Sequence, residues 1–272
     1  MVSVVITTKN EQRNMENCLK SIMEQTFKDF EIIVVDNGSQ DRTREIALMF
    51  TDKVYERGPE RSEQRNFGIS KGSGRYVIYL DADMILSPQV IEECVWTAEN
   101  NQDISGIYIP ETVIGDGFWI SVRRFERSFY DGTVIDAVRF VPRKLFDEVG
   151  GFDTSMCSGE DWDFNKKIKM KGKVAVISAC LYHNEWNFNL KRYLDKKSYY
   201  GAELCHYVEK WGRDDPDVKK QLGFFYRYLG VFVENGKFLK LLSHPILALG
   251  MYYLRFRVGL GYIMAGKKWT DP

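Results

Sequence analysis

The sequence predicts an α/β fold in which helices flank a mostly parallel sheet and a helical segment follows at the C-terminal end. Three observations lead to this prediction. Apolar, β-branched runs alternate with segments of helical periodicity through the first half of the chain, and polar clusters follow three of those runs. A basic, apolar segment comes last. Strand–helix–strand repetition favours parallel strands because each crossover helix packs back on the sheet.

The elements of the first half follow in order along the chain. The predicted strands are short runs rich in β-branched residues, at residues 2–6, 31–35, 53–55 and 76–80. The predicted helices lie between them, at residues 11–25, 41–50 and 62–71. The second half is less regular. Its strand-like runs lie at residues 138–141 and 174–177, and a helix is predicted from residue 159 toward residue 170.

Composition narrows the class of protein. The 272 residues include 38 basic and 38 acidic side chains, so the net charge is zero and no field of one sign attracts nucleic acid. Five cysteines lie far apart without a C-x-x-C pair, which predicts reduced thiols. The N-terminus runs straight into the first strand without a basic leader. We therefore expect a cytoplasmic protein that does not bind nucleic acid.

The tail, residues 219–272, differs from the rest in charge and hydropathy. Between residues 219 and 268 it holds nine Lys and Arg residues against one acid, Glu234. Residues 245–254 carry no charge, and Arg255 and Arg257 interrupt the apolar run. Two mid-span arginines disfavour a spanning helix, and an interfacial helix whose cations snorkel to anionic head groups fits better. An oligomer interface and packing on the protein's own body are the alternatives.

Asp81 and Asp83, in Asp81-Ala82-Asp83, follow the strand at residues 76–80. Two carboxylates at a strand end form a hard oxygen site, suited to Mg²⁺ or Mn²⁺ that also binds a substrate diphosphate. Asp is also common in turns, so the pair alone is a weak signal. The metal-site prediction is stronger because two other polar clusters also follow strands, Thr7-Thr8-Lys9-Asn10 and Asp36-Asn37-Gly38-Ser39.

Glu160 and Asp161 are the candidates for a general base. A carboxylate that deprotonates a hydroxyl must be ionised and within hydrogen-bond reach. Adjacent residues do not share a helix face, so at most one of the pair acts as the base. The structural alternative is that both acids stabilise the start of the helix predicted there.

Three further residues carry candidate chemistry. His183 follows the apolar run at 174–177, and a neutral imidazole is a good ligand for Mn²⁺, although a single His is more often structural. Arg61 and Arg65 lie about one helical turn apart ahead of the Asp81 strand. Their guanidinium groups can bind a diphosphate or fix the loop around it, or they can pair with Glu60 and Glu63 on a solvated helix face.

Five motifs, which follow one another along the chain, together indicate a known family. They are Val4-Val5-Ile6-Thr7-Thr8-Lys9-Asn10, Val34-Val35-Asp36-Asn37-Gly38-Ser39, Tyr79-Leu80-Asp81-Ala82-Asp83, Gly150-Gly151-Phe152-Asp153 and Gly159-Glu160-Asp161-Trp162-Asp163. Together they resemble the family-2 glycosyltransferases, which have a GT-A (Rossmann-like) fold. The resemblance covers roughly residues 1–210. We therefore expect a catalytic domain at 1–218, with 219–272 as a helical appendage.

The resemblance implies a nucleotide-diphospho-sugar donor of the UDP, GDP or dTDP type. By position, Thr7 and Lys9 would lie along the nucleotide, and Asp36 and Asn37 would sit at the base and ribose. Asp81 would face the ribose or a metal-bound water.

The resemblance also implies a divalent metal, Mg²⁺ or Mn²⁺, and inversion at the anomeric carbon. Asp83 would ligate the metal, with His183 at a position where related enzymes place a further metal contact. Asp161 would deprotonate the acceptor hydroxyl with Glu160 beside it. The reaction would be a single displacement, which needs one carboxylate base and no covalent nucleophile.

The motifs depart from the family pattern in two places. Many relatives have Asp-Asp where this chain has Asp36-Asn37. Asn both accepts and donates, so the identity of the nucleotide base is open. Lys9 stands where an aromatic residue often follows the first strand, which removes a stacking surface. Neither change touches the metal or base positions.

Two rival functions fit the sequence less well. A GT-A-like nucleotidyltransferase would have a Gly-rich phosphate loop after the first strand, but Thr7-Thr8-Lys9-Asn10-Glu11 contains no glycine. A non-catalytic, membrane-docked sugar-nucleotide-binding scaffold would tolerate loss of Asp83 or Asp161, yet both are present. A membrane-seeking tail favours a glycan or polyprenyl-linked acceptor. We thus expect an enzyme peripheral to the cytoplasmic face of the membrane, active in polysaccharide or lipid-linked glycan assembly.

Overall fold

The computed structural model describes residues 1–186 and 188–266, without the side chains of residues 202 and 262–266. The strands are β1 Val2–Thr8, β2 Phe30–Asp36, β3 Val54–Glu56, β4 Tyr76–Asp81, β5 Met84–Leu86, β6 Ile104–Tyr108, β7 Glu111–Ile114, β8 Val138–Pro142, β9 Lys173–Val176 and β10 Leu181–Asn184. The helices are α1 Met15–Met23, α2 Thr43–Leu48, α3 Arg61–Lys71, α4 Val90–Asn100, α5 Phe118–Arg127, α6 Arg143–Glu148, α7 Glu160–Lys169, α8 Leu190–Ala202, α9 Cys205–Trp211, α10 Pro216–Leu222, α11 Val231–Val233, α12 Phe238–Ser243 and α13 Pro245–Gly266. A π-helical turn, Tyr226–Gly230, and a 3-10 turn, Glu234–Gly236, flank α11.

The strands and helices predicted for residues 2–80 are all present, with shifts of a few residues at their ends. The first helix, predicted from residue 11, begins at Met15. Residues 11–14 instead form a turn in which the Asn14 amide donates to the Glu11 carbonyl at 2.9 Å. Periodicity therefore located the elements correctly and their ends less well.

Seven strands form a mostly parallel sheet in the order β3-β2-β1-β4-β8-β6-β9. β1 runs parallel to both β2 and β4, and β2 runs parallel to β3. β8 is antiparallel to β4 and β6, whereas β9 is parallel to β6. The predicted α/β class with a mostly parallel sheet is confirmed. A second, three-stranded sheet has the order β5-β10-β7.

The core lies on both faces of the large sheet. Val4 and Ile6 of β1 pack in one apolar cluster with residues of α1, α2 and α4. Val5, between them, packs in a second cluster with residues of α3, α6 and α7. Successive strand residues point to opposite faces, so a strand covered on both sides is apolar throughout. This explains why β1 is a continuous buried run.

The chain divides into two compact units. The first consists of residues 1–112, 137–154 and 160–184 and is called the sheet unit here. The second consists of residues 113–136, 155–159 and 185–272 and is called the helical unit. Both units are discontinuous in sequence. The predicted division at residue 218 stays a prediction.

The helical unit has an apolar core of its own, to which part of the tail contributes. Val122, Phe125 and Phe129 pack there with tail residues, of which Phe232 and Met251 are fully buried. α13 packs against α5 and α8. The predicted C-terminal helical appendage is therefore helical through Gly266, and Lys267 and Lys268 lie outside the described residues.

One expectation for the tail was wrong. Arg255, expected to snorkel toward lipid head groups, is buried in the helical unit and donates from Nη1 to Glu126 Oε1 at 3.1 Å. Arg257, two residues later, is exposed. A buried arginine needs a carboxylate partner, and the sequence does not show that Glu126 supplies one.

Candidate active site

The polar clusters that follow β1, β2 and β4 lie side by side at one edge of the large sheet. Thr8 is level with Asp36 in the β1–β2 register, and Thr7 is level with Asp81 in the β1–β4 register. Thr7 Oγ1 also donates to Asp81 Oδ1 at 3.0 Å. Parallel strands bring their carboxyl ends to the same edge, which is where open α/β sheets bind ligands.

Arg65, in α3, connects two motifs that are far apart in sequence. Its Nη1 donates to Asp161 Oδ1 at 2.8 Å, and its Nη2 donates to Asp81 Oδ1 at 3.2 Å. The guanidinium is fully buried and lies over the rings of Tyr79 and Phe152, 4.9 and 5.1 Å from their centroids. Burial alone would lower the pKa of Arg65, but the charges of Asp161 and Asp81 raise it. Arg65 is therefore a permanent cation that orients both carboxylates.

Asp81 is surrounded by arginines. Besides Arg65, Arg61 Nη1 lies 3.9 Å from Asp81 Oδ2. Burial alone would raise the pKa of Asp81, but the charges of Arg65, Arg61 and Arg139 and the hydrogen bond from Thr7 hold it well below its usual range. Asp81 is thus an anion at any physiological pH.

Glu160 and Asp161 begin α7, but their surroundings differ. The Glu160 side chain is 6% exposed, and its Oε1 lies 3.3 Å from Arg61 Nη2. Burial and then the charge of Asp161 raise the pKa of Glu160, and the charges of Arg61 and Arg65 offset only part of this rise. Asp161 is 27% exposed. Of the two carboxylates, Asp161 is the one that solvent and a reactant can reach.

His183 lies between two carboxylates. In the β5–β10 register it is level with Met84, next to Asp83. Its Nε2 is 3.0 Å from Asp83 Oδ2, and its Nδ1 is 3.1 Å from Glu111 Oε1. Burial alone would lower the pKa of His183, but the charge of Asp83 and hydrogen bonds with Asp83 and Glu111 raise it to about 10.

The Asp83–His183 pair fits a divalent metal. Asp83 Oδ1 is buried and has no hydrogen-bond partner in the described part of the chain. The 3.0 Å between Asp83 Oδ2 and His183 Nε2 also matches the spacing of two adjacent ligands that each lie about 2.1 Å from an octahedral ion. Imidazole and carboxylate together suit Mn²⁺ better than Ca²⁺.

A three-residue metal site does not form from side chains alone. Within residues 1–186 and 188–266, no three His, Cys, Asp or Glu side chains converge as a metal site requires. Asp81, expected near the metal, instead contacts Arg65, and its charge is compensated by Arg61 as well. Two protein ligands still suffice for Mg²⁺ or Mn²⁺, which commonly complete their coordination with substrate phosphates and water.

The other predicted donor-site residues lie on the loops that follow β1 and β2. Asp36 is buried and accepts a hydrogen bond from the Ser39 backbone amide at 2.8 Å, so it closes its own turn. Asn37 Nδ2 donates to the Pro59 carbonyl at 2.6 Å. Lys9 is exposed. All three lie near the strand ends, whereas the arginines predicted to bind a diphosphate contact carboxylates.

Two residues of this site escaped the sequence analysis. Glu111 Oε1 lies 3.1 Å from Nδ1 of His183 and so orients the imidazole ring. Arg139 is buried in β8, with its guanidinium carbon 5.5 Å from the centroid of the Tyr79 ring, and the charges of Asp161 and Asp81 act on it. A charged residue inside the apolar run 138–141 is the signal that could have revealed Arg139. No sequence signal marks Glu111.

Solved structures identify the fold. The mannosyltransferase PcManGT of Pyrobaculum calidifontis, in complex with GDP-Man and Mn²⁺, matches with a TM-score of 0.62 and 20% identity, covering 100% of this chain and 88% of its own. Residues 1–349 of S. aureus TarS, in complex with UDP, match with a TM-score of 0.58 and 16% identity, covering 98% and 90%. The fold is that of the GT-A glycosyltransferases, as predicted.

Sequence comparison adds the family. Residues 3–167 match the family described as glycosyl transferase family 2. The chain therefore belongs to glycosyl transferase family 2 and is a glycosyltransferase. An uncharacterised glycosyltransferase of Haemophilus influenzae is 25% identical over 204 residues, which cover 68% of this chain and 69% of the relative. Glycosyltransferase AglE of Haloferax volcanii is 29% identical over 191 residues, covering 63% of this chain and 62% of AglE, less than two thirds of that protein.

Proposed function

We propose that the protein transfers a sugar, with inversion, from a nucleoside diphosphate sugar to an acceptor hydroxyl with the help of Mg²⁺ or Mn²⁺. The observation that carries the proposal is the pair of contacts from Arg65 to Asp81 and Asp161. Through it, the strand-end motif and the Glu160-Asp161 motif meet at the ligand-binding edge of the sheet. A donor bound at that edge lies beside a carboxylate able to take a proton.

Asp161 is the base we assign to the acceptor hydroxyl. It is the more exposed of the two acids, and Arg65 fixes its orientation from Oδ1. Glu160 has a raised pKa and faces Arg61, so its role is to hold that arginine rather than to take the proton. One base is sufficient for a single displacement, in which the hydroxyl attacks from the face opposite the departing nucleotide and inverts the anomeric centre.

The donor would lie along the ends of β1, β2 and β4. We assign Thr7 and Lys9 to the nucleotide, Asp36 and Asn37 to the base and ribose, and Asp81 to the ribose or a metal-bound water. Two proteins of similar fold were solved with nucleotide sugars, PcManGT with GDP-Man and TarS with UDP-GlcNAc. UDP, GDP and dTDP donors are therefore the set to test.

Asp83 and His183 would hold the metal, with Glu111 keeping the imidazole in place. A bound divalent cation supplies positive charge that stabilises the departing nucleoside diphosphate. For its Nε2 to act as a ligand, His183 must give up the proton that Asp83 and Glu111 favour. Arg61 and Arg65 remain as fixed positive charges at the same edge, whatever the metal.

The tail supports a membrane-side location. Ile246, Leu249, Tyr253, Phe256 and Leu260 are exposed and recur along α13 at intervals of three and four residues, so they share one face, here called the α13 stripe. In the part of the chain that the structure describes, no helix has both the length and the apolar character needed to cross a bilayer.

We propose that the α13 stripe and the basic residues of the tail contact an anionic membrane surface. Residues 1–218 would then act as the catalytic domain at the cytoplasmic face. A membrane location favours a glycan or polyprenyl-linked acceptor.

A donor panel tests the catalytic proposal. Purified protein is incubated with UDP-, GDP- and dTDP-sugars and Mn²⁺ or Mg²⁺, and nucleoside diphosphate release is measured for wild type, Asp83→Ala and the exposed control Asp52→Ala. We expect one class of donor to be hydrolysed, chelator to abolish the reaction, and Asp83→Ala to lower it about 100-fold or more because a metal ligand is lost. Asp52→Ala should behave as wild type.

Two results would contradict the proposal. Equal turnover by Asp83→Ala and wild type, or turnover that survives chelator, would remove the metal from the mechanism. Transfer that persists in Asp161→Asn would remove the assigned base. Once an acceptor is found, the anomeric configuration of the product, read by NMR, tests inversion.

A further inference from the structure

The helical unit holds a partly buried group of charged side chains that the proposed reaction does not use. They come from α5, α8, the turn before α8, the π-helical turn and α13, and we call them the basic cluster. Its members are Arg123, Glu126, Glu185, Lys197, Arg227 and Arg255. The cluster thus brings four cations together with two carboxylates.

Two of the cations, Arg123 and Arg255, form hydrogen bonds with the carboxylates. Arg123 donates from Nη2 to Glu185 Oε1 at 3.0 Å and from Nη1 to Glu126 Oε2 at 3.1 Å. Arg255 donates from Nη1 to the other oxygen of Glu126 at 3.1 Å. Both carboxylates of the cluster therefore already accept hydrogen bonds from Arg123 or Arg255.

Two guanidinium nitrogens of the cluster lack acceptors among the described residues. Arg227 Nη1 and Arg255 Nη2 are buried and have no hydrogen-bond partner among the described residues, although Arg255 is only 6% exposed. Lys197 faces the charges of Arg123 and Arg227, and burial together with those charges lowers the pKa of Lys197 to about 8. Buried guanidinium N–H groups are nearly always paired in folded proteins. Unpaired guanidinium N–H groups beside a lysine that faces other cations indicate an anion-binding site.

The charge and geometry of the cluster match one class of anion. The four cations and two carboxylates of the cluster leave an excess of two positive charges. A phosphate monoester carries about −1.5 to −2 at neutral pH and presents three acceptor oxygens. We propose that the basic cluster binds a phosphate monoester borne by a lipid.

Exposed apolar side chains close in sequence to the two arginines favour a lipid as the source of the phosphate. Phe225 and Leu229, two residues before and two residues after Arg227, are 79% and 52% exposed. Phe256 follows Arg255 and belongs to the exposed α13 stripe. A soluble phosphate makes no apolar contact with these side chains. A lipid carries its phosphate next to hydrocarbon chains that can contact them. The inference rests on the proposed membrane contact and specifies the head group that it recognises.

Arg227→Ala tests the cluster with little disturbance to the fold. No ion pair joins Arg227 to a carboxylate within the described ranges of the chain, and its carbonyl, which accepts from Arg255 Nε at 3.0 Å, is retained. Arg257→Ala is the matched control. It removes the same charge from the tail, but Arg257 is exposed. Its guanidinium donates from Nη1 to the hydroxyl of Tyr253 at 2.8 Å and lies 5.7 Å from the centroid of that ring. Neither residue belongs to the candidate active site.

The experiment measures flotation of the full-length protein with three kinds of vesicle. One contains only phosphatidylcholine, one adds phosphatidic acid as the phosphate monoester, and one adds phosphatidylserine to the same zeta potential. Wild type should bind the phosphatidic acid vesicles about tenfold or more tightly than the phosphatidylserine vesicles, because charge-assisted hydrogen bonds add to the general attraction.

The two variants should separate the site from general attraction. Arg227→Ala should lose the preference for phosphatidic acid, and Arg257→Ala should keep it while binding both anionic vesicles about fivefold more weakly. Equal binding of wild type to both anionic vesicles, or loss of the preference in Arg257→Ala as well, would overturn the head-group site and leave the membrane contact standing.

Two other outcomes are also decisive. Absence of vesicle binding by wild type would overturn the membrane contact and the lipid site together, without touching the donor reaction, which is measured separately. In that case, if inorganic phosphate raises the Tm of wild type and not that of Arg227→Ala, the cluster binds a soluble phosphate and the lipid source is wrong. Competition of inorganic phosphate with phosphatidic acid vesicles, by contrast, would place both ligands in one site.

Discussion

At the scale of single residues, the geometry of the candidate site depends on the guanidinium of Arg65. A planar fork can donate to two carboxylates at once, and here the two acceptors are Asp81 Oδ1 and Asp161 Oδ1. The ring of Tyr79 below it limits the positions that the group can take. A lysine at the same place carries the same charge on a single nitrogen and cannot hold both acids in the same way.

We therefore predict that Arg65→Lys lowers kcat by about 10- to 100-fold, because a displaced base costs rate even when charge is conserved. The free energy of unfolding should fall by about 1–3 kcal/mol, since one of the two partly buried carboxylates loses a hydrogen bond from the guanidinium. The donor KM should change less than kcat. Arg57→Lys is the control, because Arg57 is half-exposed and pairs with Glu63 on the surface. A kcat within twofold of wild type would show that Arg65 does not position Asp161.

How far the sequence predicts the site differs from residue to residue. Asp83 and His183 were proposed as metal ligands, and the structure brings them within 3.0 Å of each other. Arg61 and Arg65 contact carboxylates of α7, and their contact with a diphosphate stays a prediction. Spacing along the chain shows which residues share a helix turn, but pairing between α3 and α7 depends on how both helices pack on the sheet. That information is tertiary, and for this reason Glu111 was missed too.

At the scale of elements, α3 is held close to the sheet by a glycine. A Cβ placed on Gly68 would lie 2.5 Å from Val5 Cγ1 and 2.8 Å from Val35 Cγ2. The helix that carries Arg61 and Arg65 can therefore approach β1 and β2 only because residue 68 has no side chain.

Gly68→Ala separates this packing from helix propensity. Alanine favours helix over glycine by about 1 kcal/mol, but the added methyl group clashes with both valines. We predict that the clash dominates and that the free energy of unfolding falls by about 1–3 kcal/mol, with lower kcat because Arg65 moves with the helix. Ser70→Ala, an exposed change in the same helix, should stay within about 0.5 kcal/mol. Urea denaturation checks both, and a more stable Gly68→Ala would mean that α3 is not tightly packed.

The strands and helices themselves were easier to predict than their directions. Hydrophobic periodicity and strand-ending polar residues located β1, β2, β4 and the helices between them. Hydrophobic periodicity does not show whether a strand runs parallel or antiparallel to its neighbour. The sequence therefore predicted β8 as a strand, but not its antiparallel pairing with β4. The strand-like run at 174–177 became β9, at the edge of the sheet. Its ends moved by one residue, as expected where pairing alone sets the boundary.

At the scale of the whole molecule, the tail has one set of apolar side chains buried in the helical unit and another set exposed. Val231, Phe232, Met251 and Leu254 are buried against α5 residues such as Phe129. The α13 stripe on the same helix is exposed. Packing on the protein's own body, one of the interpretations left open by the sequence, therefore describes the buried face. The membrane contact proposed above would use the exposed face.

This division of faces decides how membrane contact must be tested. Deleting the chain after Val218 removes the buried partners of Phe125 and Phe129 as well as the stripe. We expect the truncated protein to bind a hydrophobic dye and aggregate, so a loss of vesicle binding by it would not identify the membrane face. The informative change replaces exposed stripe residues and leaves the buried face intact.

We predict that Ile246→Gln combined with Leu249→Gln keeps the Tm and donor hydrolysis of wild type but weakens binding to anionic vesicles about tenfold or more. Both side chains are about 70% exposed in solution, and each withdraws apolar area from water only when it meets a bilayer. The matched control is Leu48→Gln combined with Met49→Gln, two exposed apolar residues of the sheet unit. If both doubles bind vesicles as wild type does, the α13 stripe is not the membrane face. If only the stripe double aggregates, the stripe is packed in solution, as an oligomer interface would require.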